Sequence, residues 1–302
     1  MSQIQKTIPP RAWAELSLLA LIWGASFMTT ALILRDVSPL WLVAFRITGA
    51  AALLWVYVLW RGIRVPRTAA IWGGFLVMGL MNNALPFTLI TWGQQHISSG
   101  LAAILNALTA VLGVLVASVL FADERLSARK AAGVALGFAG AAVIIGPAAL
   151  SQLNLASLGQ LALLGSSLSY ALAGAWGRKT LSGQSPAMAA TGMLTCAALI
   201  MIPLALSTEG APPLPQAPLT WAALGYLSLI ATASAYLLYY RVLSMAGAGN
   251  LLLVTLMVAP CAILLGALVL DETLPLRAYG GFALLAAGLI TIDGRLLRRN
   301  RI

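Results

Sequence analysis

Long apolar stretches alternate with short polar connections along the whole chain. Each stretch approaches the roughly 20 residues that an α-helix needs to cross the hydrocarbon of a bilayer. The pattern therefore predicts an all-α membrane protein with ten transmembrane helices. The predicted spans, with bounds good to about 2–4 residues, cover residues 13–34, 39–60, 69–92, 97–121, 129–147, 155–176, 186–207, 219–240, 250–270 and 277–294.

The composition excludes a soluble fold. Hydrophobic residues make up 61% of the 302 residues, charged residues only 9%, and the mean hydropathy is +0.93. A soluble domain carries about 25% charged residues. We expect a single integral membrane unit in contact with the lipid bilayer. Its first apolar stretch is predicted to be a span, because that stretch is too long for a cleaved signal peptide.

Positive charge is distributed unevenly between alternate connections. If the N-terminus is cytoplasmic, only Arg35 and Arg277 fall on the outer side. The inner side then holds Lys6, Arg11, Arg61, Arg64, Arg67, Arg125, Arg129, Lys130, Arg178, Lys179, Arg241, Arg295, Arg298, Arg299 and Arg301. Because cytoplasmic loops are enriched in Lys and Arg, we expect a bacterial inner-membrane protein with both termini in the cytoplasm. The net charge of +10 then requires no nucleic-acid partner.

The chain contains an internal repeat at an offset near 148 residues. It aligns residues 123–126 (Asp-Glu-Arg-Leu) with 271–274 (Asp-Glu-Thr-Leu), and Gly133 and Gly140 with Gly281 and Gly288. This period corresponds to five spans, so residues 1–150 and 151–302 form two five-helix repeats. Because five is odd, the second repeat enters the membrane from the opposite face, and inverted repeats are typical of alternating-access transporters. The alternative is a duplicated bundle with no role in transport.

Several motifs carry a family resemblance. The first predicted helix holds 21–27 (Leu-Ile-Trp-Gly-Ala-Ser-Phe), the second holds Phe45-Arg46, and each half closes with an Asp-Glu-x-Leu connection before a glycine-containing helix. Together they resemble the EamA branch of the drug/metabolite transporter superfamily. The resemblance implies ten helices around a central cavity, with the fifth and tenth peripheral. It also implies a carrier of amino acids and related metabolites, as in the aromatic amino-acid exporters, or a carrier of another metabolite or drug-like solute.

We therefore expect an alternating-access transporter, an exporter or a facilitator, in which the two five-helix halves rock about a midplane cavity. The outward direction comes from the resemblance alone. All eight acidic residues are predicted in connections or near span ends: Glu15, Asp36, Asp123, Glu124, Glu209, Asp271, Glu272 and Asp293. Proton relays commonly use carboxylates inside the membrane. We therefore expect indirect energy coupling or none. The oligomeric state is left open.

The candidate substrate-cavity residues are polar or aromatic side chains predicted near the middle of spans. Polar atoms there cost free energy unless they face a cavity or a neighbouring helix. These candidates are Trp23, Asn82, Asn83, Asn106, Thr109, Ser166, Ser169, Tyr170, Ser234, Tyr236 and Thr255. For each of them, packing or a hydrogen bond to the residue's own helix is the alternative role.

Backbone flexibility and one buried charge complete the candidate set. Gly24, Pro86 and Pro260 are candidate gating or hinge positions. Arg46 is predicted roughly 10 Å along its span from Pro39, at about 1.5 Å per residue. Such a charge costs about 2.5–3.5 kcal/mol to insert unless it finds acceptors. Arg46 is therefore expected either to attract a carboxylate in the outer vestibule or to play a structural role.

Enzyme and channel functions are the competing classes. The single histidine, His96, is predicted in a loop, and the sequence holds no metal-ligand motif and no nucleophile motif. We therefore expect no catalytic residue, metal or cofactor. Cys196 and Cys261 lie in apolar stretches and are expected to be packed thiols. A channel would require a ring of like residues or a filter, usually from oligomeric symmetry.

Overall fold

The computed structural model describes residues 9–122, 126–145, 155–181, 183–246 and 253–293. Within these ranges the protein is all-α, without strands. We label the helices α1 (Pro10–Ile33), α2 (Pro39–Trp60), α3 (Ala69–Gly93), α4 (Ser99–Leu120), α5 (Ala128–Ile145), α6 (Leu155–Thr180), α7 (Pro186–Glu209), α8 (the consecutive segments Pro218–Gly225, Tyr226–Ser234 and Ala235–Ala246), α9 (Leu253–Leu270) and α10 (Leu276–Asp293).

The described helices lie where the hydropathy pattern places them. Four begin with a proline at the first helical position, namely Pro10, Pro39, Pro186 and Pro218. A proline costs nothing there, because the first N–H groups of a helix have no intrahelical acceptor. Some predictions concern residues outside the described ranges: the Asp123-Glu124-Arg125 part of the repeat, the span ends at Pro147, Asn250 and Gly294, and the cations Lys6, Arg295, Arg298, Arg299 and Arg301.

The protein crosses the membrane several times. Among the described residues, seven helices are long and apolar enough to cross a bilayer, and between 39% and 61% of each apolar window is buried inside the protein. Many of the remaining side chains are large and apolar, such as Leu268, which is 78% exposed. Such faces are stable against lipid. Shorter apolar helices cover Met257–Leu270 and Leu276–Ile292, so the count of ten spans stays a prediction.

The helices pack as two bundles. One hydrophobic cluster joins α2, α3, α7 and α8 around Leu54, Phe75 and Met193. A second joins α1, α4, α6 and α9 around Leu16, Ile104 and Val258. Each bundle draws two helices from each half of the chain. They meet where α3 contacts α6 and where α1 contacts α8, and Tyr170 packs against both clusters.

Helices α5 and α10 pack against each other at the side of the second bundle, which agrees with the peripheral position expected for them. Four residues, Gly133 and Gly140 on α5 and Gly281 and Gly288 on α10, form what we call the glycine interface. A Cβ atom added to Gly133 would lie 2.6 Å from the carbonyl oxygen of Gly288, and one added to Gly140 would lie 2.6 Å from that of Gly281. Small residues at such positions allow two backbones to approach closely.

Candidate functional site

Helices α3 and α8 each contain a π-helical segment near their middle. In α3 the segment covers Leu80–Ala84 and is followed by Pro86, which has no N–H to donate. In α8 it covers Tyr226–Ser234. There the hydroxyl groups of Thr232 and Ser234 donate to carbonyls five residues earlier, at 2.7 and 2.8 Å. π-helical turns are rare and occur frequently at functional sites.

The π-helical carbonyls bind side chains of the other bundle. The hydroxyl of Ser169 on α6 donates to the carbonyl of Met81 in α3, at 2.6 Å. The indole nitrogen of Trp23 on α1 donates to the carbonyl of Ala231 in α8, at 3.2 Å. The hydroxyl of Tyr226 on α8 returns a bond to the carbonyl of Ile22, at 2.8 Å. Both contacts between the bundles therefore include hydrogen bonds to π-helical segments at corresponding places in the two halves.

A pair of amides on α3 binds one tyrosine on α8. The hydroxyl of Tyr236 donates to Oδ1 of Asn83 at 2.8 Å and accepts from Nδ2 of Asn82 at 3.0 Å. Asn83 is fully buried, and its Nδ2 has no hydrogen-bond partner in the described part of the chain. All three were predicted from sequence as candidates for one substrate cavity, and the structure brings them into direct contact.

Arg46 lies beside this group rather than at the protein surface. Only 9% of the residue is exposed. Its Nε donates to Oγ1 of Thr232 at 2.9 Å, and its guanidinium carbon lies 3.9 Å from the ring centroid of Phe87. The hydroxyl groups of Tyr170, Tyr226 and Tyr236 lie within electrostatic range. We call Arg46, Asn82, Asn83, Thr232 and Tyr236 the polar cluster.

Other predicted residues lie around this cluster. Trp23 packs on Tyr239 with 5.9 Å between ring centroids. Asn106, Thr109 and Ser166 lie where α4 contacts α6, and a polar oxygen of each is buried without a partner within the described residues. None of these three lies on α2, α3 or α8, the helices that carry the polar cluster. Thr255 is partly buried on α9, and Ser234 binds its own helix.

The hinge candidates have different surroundings. A Cβ added to Gly24 would lie 2.5 Å from Cβ of Cys261, so this glycine permits the close contact between α1 and α9. Pro86 is buried after the first π-helix, whereas Pro260 is exposed on α9. Hinge motion at all three positions stays a prediction.

Sequence analysis did not select Thr232, Phe87, Tyr226 or Tyr239. Thr232 and Tyr236 are four residues apart, a spacing that puts two side chains on the same face of a helix. That spacing was the signal from which Thr232 could have been selected. Thr232 lies in the π-helical segment of α8, and π-helical hydrogen bonding has no signature in a 3.6-residue pattern.

Carboxylates cap helices across the two halves at the predicted outer side. Glu209 accepts from the hydroxyl of Ser38 at 2.6 Å and from the amide nitrogen of Trp41 at 3.2 Å, at the start of α2. Glu272 accepts from the amide and hydroxyl of Ser99 at 2.8 and 2.7 Å, at the start of α4. Negative groups are stabilised at helix N-termini. These acids are thus engaged away from the polar cluster.

The chain matches the EamA-like transporter family over residues 13–146 and 157–292. It belongs to the EamA family, within the drug/metabolite transporter superfamily. The two matched stretches correspond to two family repeats. The family description and the names of relatives such as YvbV and YedA are those of transporters.

Relatives support this membership over most of the chain. The uncharacterized transporter YvbV of Bacillus subtilis is 26% identical over 97% of this chain and 94% of its own length. The uncharacterized inner membrane transporter YedA of Escherichia coli is 29% identical over 85% and 82%. The "Probable terminal-alkyne amino-acid exporter" of Streptantibioticus cattleyicolor is 31% identical over 44% and 43%. One solved crystal structure has the same fold, with a TM-score of 0.67 and 19% sequence identity. The match covers 97% of this chain and 99% of that chain.

Proposed function

We propose that this EamA protein is an alternating-access transporter of amino acids and related small metabolites in the bacterial inner membrane, working as an exporter or a facilitator. The observation that carries the proposal is the placement of the polar groups. They lie where the two bundles meet, on helices interrupted by π-helical segments. π-helical turns occur frequently at functional sites, and transporters typically bind substrates and ions near the bilayer midplane, where helices depart from regular geometry.

Ten spans arranged as two inverted five-helix repeats, residues 1–150 and 151–302, are part of the proposal. Corresponding features at the repeat offset support it. Trp72 donates its indole N–H to the carbonyl of Pro66, and Trp221 does the same to Pro215, both at 2.9 Å. Single cysteines placed at Arg61 and at Leu214, in a variant without Cys196 and Cys261, test the orientation. Labelling of the first from the cytoplasm and of the second from outside is expected.

The moving units in this proposal are the two bundles. The sequence favoured rocking of the two five-helix halves, but each hydrophobic cluster combines helices of both halves. Close packing within a cluster resists internal displacement. Polar hydrogen bonds join the two bundles at Trp23 on α1 and at Ser169 on α6, which donate to carbonyls of α8 and α3. Rocking of the bundles would expose a central cavity to each side in turn.

The substrate class rests on the chemistry of these groups and on one relative. Aromatic rings such as Trp23 and Tyr239 suit an apolar side chain, whereas amides, hydroxyls and Arg46 suit polar groups of a small solute. The relative named as an exporter of a terminal-alkyne amino acid supports an amino-acid substrate. An EamA carrier of another metabolite or a drug-like solute is the second candidate.

Transport by purified protein in liposomes tests the proposal. We expect saturable uptake of labelled aromatic or aliphatic amino acids, accelerated by unlabelled amino acid on the opposite side. Trp23→Ala and Asn83→Ala should reduce uptake, whereas Trp13→Ala, on an exposed position of the same helix as Trp23, should not. Unsaturable flux without acceleration would indicate a channel. Failure to carry any amino acid would favour the second candidate. A tight proton antiport would contradict the expected indirect coupling.

A further inference from the structure

The polar cluster contains a buried cation without a buried anion. Among the described residues, Arg46 donates one side-chain hydrogen bond, from Nε to Thr232. No ion pair of Arg46 with an acid occurs within the described part of the chain. Glu209 and Glu272 accept from helix starts, and Glu15 binds Arg241. A buried charge is costly unless it is paired, so the cluster is incomplete without an anion.

The groups left over in the cluster are hydrogen-bond donors. The two terminal nitrogens of Arg46 are not engaged by Thr232, and Nδ2 of Asn83 is buried without a partner among the described residues. A guanidinium presents its terminal N–H groups as a planar fork that matches the two oxygens of a carboxylate. Asn83 accepts a hydrogen bond from Tyr236, which lies four residues after Thr232, the acceptor of the Arg46 bond.

An ammonium group finds no matching charge here. The acceptors near the cluster are neutral: amide oxygens, tyrosine hydroxyls and the π-helical carbonyls. Apolar surface is nearby, because Phe87 contacts Arg46, and Trp23 binds Ala231 next to Thr232. The site is therefore complementary to an anionic head group attached to an apolar body.

We propose that Arg46 binds the carboxylate of the transported solute, and that the carboxylate rather than the ammonium group is the required feature. This inference rests on the proposed transport of amino acids and narrows it. It predicts that a carboxylic acid lacking the amino group binds as well as the amino acid of the same shape. The amide of that amino acid, which keeps the ammonium and loses the carboxylate, does not bind.

Two matched ligand series test the inference on the unmodified protein. The first comprises phenylalanine, 3-phenylpropionate and phenylalaninamide, and the second leucine, 4-methylpentanoate and leucinamide. We would measure thermal stabilisation of the purified protein by each compound, and inhibition of labelled amino-acid uptake in liposomes. In at least one series, the amino acid and the carboxylic acid should stabilise the protein and inhibit uptake at similar concentrations. The amide should require a concentration at least about tenfold higher, because it cannot form the hydrogen bond between the carboxylate and a charged group.

Arg46→Gln should weaken binding of the acid by about 10- to 100-fold and remove the preference for acid over amide. Arg35→Gln removes the same charge from an exposed connection and should leave that preference intact. If Arg46→Gln does not fold, the ligand series on the unmodified protein still decides. Equal action of amide and acid would overturn the role of Arg46 while the carrier stands. Absence of amino-acid uptake by the unmodified protein would overturn the proposed function and this inference together.

Discussion

The polar cluster and the glycine interface hold helices together in opposite ways. In the polar cluster, hydrogen bonds between long side chains join α2, α3 and α8, with Tyr236 between two amides. In the glycine interface, backbone meets backbone, and an added Cβ at Gly288 would lie 2.6 Å from the carbonyl oxygen of Gly133. Hydrogen-bonded side chains can exchange partners, whereas close-packed backbones cannot shift without clashes. We therefore expect rearrangement during the proposed transport at the polar cluster, and stability from the glycine interface.

The largest expected effect breaks the glycine interface. Gly140→Leu places a side chain against α10, and overpacking of this kind should cost about 3 kcal/mol. We expect a large drop in melting temperature and in the yield of monodisperse protein. Gly280→Leu is the matched control, because nothing lies within 4 Å of a Cβ added at that position of α10. Equal melting temperatures of the two variants would contradict the role given to the interface.

The next effect is expected in the polar cluster. Thr232→Val keeps the shape of the side chain but leaves Nε of Arg46 without its acceptor, and a lost hydrogen bond to a charged group costs about 1.5–3 kcal/mol. We expect weaker inhibition of uptake by carboxylates and a modest fall in melting temperature. Thr232→Ser keeps the hydroxyl and should restore both. If Thr232→Val and Thr232→Ser give the same inhibition and the same melting temperature, the hydrogen bond between Arg46 and Thr232 does not contribute to the site.

Removing the tyrosine hydroxyl should have a smaller effect on stability than on transport. Tyr236→Phe leaves Oδ1 of Asn83 unpaired, at a cost of about 1–2 kcal/mol. We expect slower amino-acid uptake, with a melting temperature that falls less than in Gly140→Leu. Tyr279→Phe, at an exposed position of α10, is the control and should match the unmodified protein. A stability loss as large as that of Gly140→Leu would erase the distinction between the two regions.

The smallest effect concerns a contact next to the glycine interface. Glu272 precedes α10, which carries one side of the glycine interface, and it caps α4 of the second bundle. Glu272→Gln removes the negative charge at the N-terminus of α4, which should lower the free energy of unfolding by about 0.3–1 kcal/mol. The melting temperature should fall slightly. Asp271→Asn is the control, since Asn tolerates the left-handed backbone at this position, φ 54°. An equal fall in the melting temperatures of Glu272→Gln and Asp271→Asn would contradict a stabilising role of the Glu272 cap.

The sequence by itself determined the class of the fold and the location of the helices. Apolar length and short polar connections are local properties, so helix ends such as those of α2 at Pro39 and Trp60 were predicted to the residue. Proline at helix starts and the glycines of α5 and α10 are equally local features of the sequence. The family motifs in the first two helices identified the EamA membership that the family match establishes.

Only the tertiary structure decided how the polar residues combine. Sequence reasoning put Asn82, Asn83 and Tyr236 in one set of cavity candidates without their contacts, and it kept Arg46 apart. All four belong to the polar cluster. Their meeting depends on which helices pack together and on the π-helical turns, which change the direction of side chains after the turn. Neither is encoded by hydropathy, because every helix in a membrane protein satisfies its own backbone whatever its neighbours are. Partner choice between helices comes from the fit of whole surfaces, and that fit exists only in the folded bundle.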